Sequence, residues 1–168
     1  MFENIIWPTD GSDLADTALP VVEELARRNG AKIVAMHAVR SFHGGRSAGT
    51  PILADEDELQ RKIRRQVNDL KLHGFDVQLL VRPVAYEDAA HAIAALAEEV
   101  DADLIVLATH GRGALATALF GSVAKELLHL APCPVLATPE TVGAARVATI
   151  APPIESDRYK TSQDVVSL

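Results

Sequence analysis

The chain has 168 residues, 16 basic and 23 acidic, for a formal net charge of −7. With 48% apolar and 23% charged residues it has an ordinary globular composition, and it is long enough to bury a core without disulfide or metal staples. The acidic balance argues against non-specific binding to nucleic acid or to an anionic membrane surface, because both polyanions would be repelled.

The first element is the short apolar run Asn4-Ile5-Ile6-Trp7, closed by Pro8, which suits a buried strand. Ser12 is placed to cap a helix and Asp13 falls in its first turn. Leu14, Ala18, Val21 and Leu25 then share one helical face, Pro20 predicts a kink, and Asn29-Gly30 supplies the stop. Lys32 to Val39 reads as the second strand. Ser41 to Pro51, rich in Gly and Ser, reads as a mobile loop. Leu59, Ile63, Val67 and Leu70 mark a long helix ending at Gly74, and Val77 to Val81 a third strand. Ala89, Ile93, Leu96, Ala97 and Val100 line another helix. The fully apolar Leu104-Ile105-Val106-Leu107 is expected as a central strand covered on both sides. A Gly-containing loop follows, then a helix with Val123, Leu127 and Ala131, and a last strand, Val135-Leu136-Ala137, after Pro134.

This alternation predicts an α/β domain over residues 1–138, with a parallel sheet and helices on both faces joined by right-handed crossovers. Residues 139–168 lack long periodicity, carry Pro152-Pro153 and read as a C-terminal tail or arm. An N-terminus without a basic region or a long apolar run predicts no signal peptide, and no stretch reaches the ~20 apolar residues of a membrane helix. Cys133, the single cysteine, cannot form an internal disulfide, and its place between two prolines predicts burial. The six histidines show no metal spacing, and no catalytic set is anchored by a nucleophile turn. The expected compartment is the cytoplasm.

Ligands of open α/β sheets bind beyond the carboxyl ends of strands, where the winding direction reverses. Two loops there look specialised: Pro8-Thr9-Asp10-Gly11-Ser12, and the stretch from Ala108 to Ser122. Gly111 and Gly121 permit close backbone approach, and Gly121-Ser122 opens a helix whose free N–H groups and partial positive charge favour phosphate. The Ser122 hydroxyl adds a donor and Arg112 a charge. The same residues also fit plain turns and a helix cap. Neither the Walker pattern nor a dinucleotide glycine turn is present. Arg61, Lys62, Arg64 and Arg65 flank Ile63 and read as a solvated helix face.

From Ala108 through Leu136, and in the opening Ile5-Ile6-Trp7-Pro8-Thr9-Asp10-Gly11-Ser12, the chain resembles the universal stress protein family, over roughly residues 2–138. The resemblance implies a flavodoxin- or Rossmann-like sheet of five strands in the order 3-2-1-4-5, so that the two loops face each other across one crevice. The nucleotide-binding branch carries Gly-x-x-Gly, nine residues, then Gly-Ser or Gly-Thr. Here Gly111 matches the second glycine and Gly121-Ser122 the closing pair, while Ala108 replaces the first glycine. If that position needs a positive φ, alanine costs roughly 1 kcal/mol; if it needs only room, one methyl can be accommodated.

By the same matching Asp10 contacts the nucleoside end, Val39 lines the adenine pocket, and Pro8, Thr9 and Leu107 form walls. Gly111, Arg112, Gly121, Ser122 and Val123 match phosphate and ribose contacts, and His110 lies within the motif. The resemblance thus implies a cytoplasmic ATP-binding regulator or sensor of stress, with ATP, AMP or ADP as ligand and Mg²⁺ as its companion. A scaffold of the same fold without nucleotide, suggested by Ala108, and a slow ATPase are the alternatives. A homodimer through Val135, Leu136 and Ala137 is expected on family grounds and because an apolar edge strand invites pairing.

Overall fold

The computed structural model describes residues 1–40, 52–84, 89–110, 120–139 and 149–151. Strand β1 (Asn4–Pro8) is followed by a 3-10 turn at Ala15–Ala18, helix α1 (Leu19–Asn29) and β2 (Lys32–Arg40). Helix α2 (Ile52–Leu72), β3 (Val77–Val84), α3 (Ala89–Glu99) and β4 (Leu104–Ala108) come next. Helix α4 (Ser122–Leu130), β5 (Val135–Thr138) and β6 (Thr149–Ala151) complete the order. The first five strands are parallel in the order β3-β2-β1-β4-β5, as expected.

Strand alternation sorts the core into two layers. Ile5 and Trp7 of β1, Leu104 and Val106 of β4, and Ile33 and Ala35 of β2 pack on Ala18, Val22 and Ala26 and on Ile63, Val67 and Leu70 of α2. The opposite faces, with Ile6, Ile105, Leu107, Val34 and Met36, pack on Ile93 and Leu96 of α3 and on Ala124 and Leu127 of α4. Ile5, Ile6 and Trp7 are entirely excluded from solvent, as a central strand between two helical layers requires. The Trp7 indole N–H meets no acceptor among the described residues.

The helix expected from Ser12 divides. The Ser12 hydroxyl accepts from the Ala15 amide as a cap should, but the first turns are 3-10. Pro20 sits at the start of α1, where its missing N–H costs nothing. The break at Pro20 rotates the buried face, whose centre is Val22 and Ala26 rather than Val21 and Leu25. Gly30, at φ 67°, ends α1 in the left-handed conformation.

The sheet has a sixth strand that the periodicity of the sequence does not announce. β6 lies antiparallel on β5, with Val135 opposite Ala151 and Ala137 opposite Thr149. This corrects the expected dimer edge: Val135, Leu136 and Ala137 are paired within their own chain, so that edge is not open to a second copy. The glycine-rich segment 41–51 and Pro152-Pro153 lie outside the described residues. Among the described residues no helix is long and apolar enough to cross a membrane.

Candidate functional site

The sheet reverses its winding between β1 and β4, which are hydrogen-bonded neighbours with Ile5 opposite Leu104 and Ile6 opposite Ile105. Their carboxyl ends carry the Thr9–Ser12 turn and Ala108-Thr109-His110. The strand order therefore brings the two sequence-selected loops to one edge of the sheet.

The first loop is a tight, self-bonded turn. Thr9 is buried, its amide donates to Met36 O at 2.9 Å, and its hydroxyl accepts from the Gly11 amide at 3.2 Å. Asp10 Oδ1 accepts from the Ser12 amide at 3.0 Å and from the Ser12 hydroxyl at 2.6 Å, the local bonding that Asp favours at turns. Asp10 is half-buried, and its carboxylate is fixed in the turn. Gly11 has φ 75°, and a Cβ there would lie 3.0 Å from Leu59 Cδ2. Glycine is thus required both by the backbone and by the helix packed over it.

Helix α2 grips this turn. Lys62 Nζ reaches Asp13 at 2.7 Å, Asp16 at 2.6 Å and the Gly11 carbonyl at 3.0 Å, which uses all three of its protons. Burial alone would lower the Lys62 pKa, but the two carboxylates outweigh it and hold the value above that of an ordinary lysine. The hydrogen bond and charge of Lys62 hold the Asp13 pKa below the usual carboxylate value. Lys62 was expected on a solvated face with Arg61, Arg64 and Arg65. Those three are exposed, but Lys62 points inward because Asp13 and Asp16, distant in sequence, face it.

Beyond the end of β4, Gly121 is the cap residue of α4 and Ser122 its first helical residue. Among the described residues no side chain caps the helix, and its first three amides, those of Ser122, Val123 and Ala124, have no intrahelical acceptor. The Gly121 amide is not among the available donors: it donates to the Thr109 carbonyl at 2.7 Å. Its N–H instead joins the helix start to the end of β4. Its φ of −66° requires no glycine, but a Cβ would lie 3.3 Å from the Thr109 carbonyl oxygen, so close approach is the reason for the residue type.

Ala108 ends β4 in ladder register with Thr138, and its side chain packs on the same layer as Trp7. Among the described non-glycine residues only Asp101 has a positive φ, so Ala108 carries no left-handed strain. The half-buried His110 lies beside Thr109, with Nδ1 3.2 Å from the hydroxyl. Leu107 is buried in the second core layer. Pro8 and Val39 are half-buried, and β2 runs four residues past the Met36 position that pairs with Pro8, with Val39 the third of them, above the end of β1. Val123 is half-buried on α4. Gly111 and Arg112 lie outside the described residues. Cys133 is buried, and burial together with the charge of Asp103 pushes its thiol up to about 11, as an inert core residue requires.

The comparisons with known proteins agree with this topology. Residues 1–139 match the model of the universal stress protein family. A universal stress protein of Thermus aquaticus is 34% identical over 144 residues, spanning 81% of this chain and 98% of its own. Another, from Methanocaldococcus jannaschii, is 31% identical over 146 residues, spanning 81% of both chains. A universal stress protein solved in complex with cAMP superposes with a TM-score of 0.62 at 25% identity, covering 83% of this chain and 99% of its own. One from Archaeoglobus fulgidus solved with dAMP gives 0.59 at 25% identity, covering 82% and 97%. By its motifs, its strand order and these matches, the chain belongs to the universal stress protein family.

Proposed function

We propose that this chain binds an adenine nucleotide, ATP in the first instance, in the crevice between the Asp10 turn and the start of α4, and acts as a nucleotide-dependent regulator in the cytoplasm. The observation that carries the reading is the start of α4, uncapped by any described side chain, at the topological switch point whose other strand carries a fixed carboxylate turn. The amides of Ser122, Val123 and Ala124, the Ser122 hydroxyl and Arg112 receive the phosphates. Asp10 takes the nucleoside end, since carboxylate and phosphate repel unless a cation lies between them. Val39 and Pro8 border the base. Two relatives solved with cAMP and with dAMP support the adenine preference.

Among the described residues no group of three His, Cys, Asp or Glu side chains could hold a metal ion. Mg²⁺ is therefore proposed only as the counterion of the phosphates. Residues 1–138 are the nucleotide-binding unit, and 139–168 an arm whose β6 covers the β5 edge. Calorimetric titration with ATP, ADP and AMP, with and without Mg²⁺, tests the reading. Saturable heat with ATP is expected; no heat and no thermal shift at millimolar ATP would overturn it.

A further inference from the structure

His37, on β2, is completely buried, yet both ring nitrogens are engaged by groups from different elements. Nδ1 donates to the Thr9 carbonyl at 2.9 Å, and Nε2 lies 2.6 Å from Glu56 Oε1 on α2. A carbonyl oxygen only accepts, so Nδ1 carries a proton, and the second contact requires one more proton between Nε2 and the carboxyl. Gln60 donates to the same Glu56 oxygen at 3.3 Å.

The Thr9 carbonyl belongs to the peptide plane that joins Thr9 to Asp10. Because that plane is rigid, a bond to its oxygen sets the direction in which Asp10 leaves the strand. Thr9 is held by β2 twice, through its amide on Met36 O and through its carbonyl on His37. Asp10, held in turn by Ser12, therefore takes its orientation from a chain of contacts that runs through His37 to Glu56.

We propose that His37 is a positioning residue for the nucleotide crevice: its ring bridges Glu56 of α2 to the Thr9–Asp10 peptide, so that the seating of α2 sets the aim of the Asp10 carboxylate. The proposal rests on the nucleotide reading for its functional meaning, but the bridge itself can be tested without ligand. Lys62 makes a second link from the same helix to the same turn, at the Gly11 carbonyl, which makes α2 the element that frames this half of the site.

Three variants separate the bridge from mere core filling. Glu56→Ala removes it. His37→Asn keeps a donor for the Thr9 carbonyl but cannot reach Glu56. Glu56→Gln retains it, because the amide donates to Nε2 of a neutral ring. The readouts are ATP affinity by calorimetry and hydrogen exchange of the Gly11 and Ser12 amides in ligand-free protein. Glu56→Ala and His37→Asn are expected to weaken ATP about tenfold and to speed the two amides by a similar factor, with Glu56→Gln within about twofold of the wild type. Equal behaviour of Glu56→Ala and Glu56→Gln, or a lowered Tm with unchanged exchange at Gly11 and Ser12, overturns the proposal. If Glu56→Ala does not fold, His37→Asn decides. A wild type that binds no ATP sinks the nucleotide reading alone, and the exchange comparison still decides the bridge.

Discussion

Replacing Gly11 by alanine separates two costs that the structure superimposes. At φ 75° a side chain brings a left-handed backbone penalty of about 1 kcal/mol. The new methyl also lies 3.0 Å from Leu59 Cδ2, 3.1 Å from Leu59 Cβ and 3.4 Å from Ile63 Cδ1, so α2 must shift or the turn must open. Overpacking of this kind adds about 1–3 kcal/mol, for a total of about 2–4 kcal/mol. Gly30 is the internal control, since it has a similar φ of 67° and nothing within 4 Å of the place a methyl would take. Gly30→Ala therefore carries the backbone cost only, about 1 kcal/mol. Urea denaturation followed by far-UV circular dichroism gives both values, and Leu59→Ala in the Gly11→Ala background is expected to recover about 1–2 kcal/mol as a coupling energy. Since the displaced turn carries Asp10, Gly11→Ala also weakens ATP binding, whereas Gly30→Ala leaves it unchanged. If Gly11→Ala costs no more than Gly30→Ala, α2 does not press on the turn and the account of this half of the site is wrong.

Ala108→Gly is expected to lower stability by about 0.5–1 kcal/mol, because glycine is unfavourable in a strand. ATP affinity changes less than about threefold, since Ala108 has an ordinary strand backbone; a tenfold gain would show that its methyl obstructs the ligand. Ending the chain after Pro139 removes β6 and opens the β5 edge. Light scattering should then show dimers at micromolar concentration, and an unchanged mass would mean that the edge is inert. The Lys62 clamp has a defined pH signature when wild type is compared with Lys62→Met. The Asp13 pKa is lowered, so its share is present above the unfolded carboxylate value of about 4 and is lost as pH falls. The Lys62 pKa is raised, so its share is present below about 10.4 and is lost as pH rises through the folded value. The Tm difference between the two proteins should be widest between these limits and shrink beyond them; a flat difference refutes the clamp.

Much of the architecture was legible because each central strand is a continuous apolar run and each helix carries its period. Ile5-Ile6-Trp7 and Leu104 to Leu107 identify themselves, and their adjacency at the switch point places both loops together. β6 was not legible: three residues, Thr149 to Ala151, contain no period to detect, and only the antiparallel ladder on β5 defines them. Lys62 and the His37–Glu56 pair were missed for a related reason. Each depends on partners far apart in sequence, 49 residues for Lys62 and Asp13 and 19 for His37 and Glu56, which composition and spacing do not link. At Gly121, residue type alone does not distinguish an amide aimed at a ligand from one spent on the Thr109 carbonyl.

Trp7, the only tryptophan, lies three residues before Asp10, sealed from water and with its indole N–H unengaged by any described residue. An indole in so apolar a setting emits towards the blue and moves to the red when solvent reaches it. The molecule thus carries its own optical gauge on the strand that feeds the crevice, and native emission can report both chain opening and changes at the rim without any attached dye.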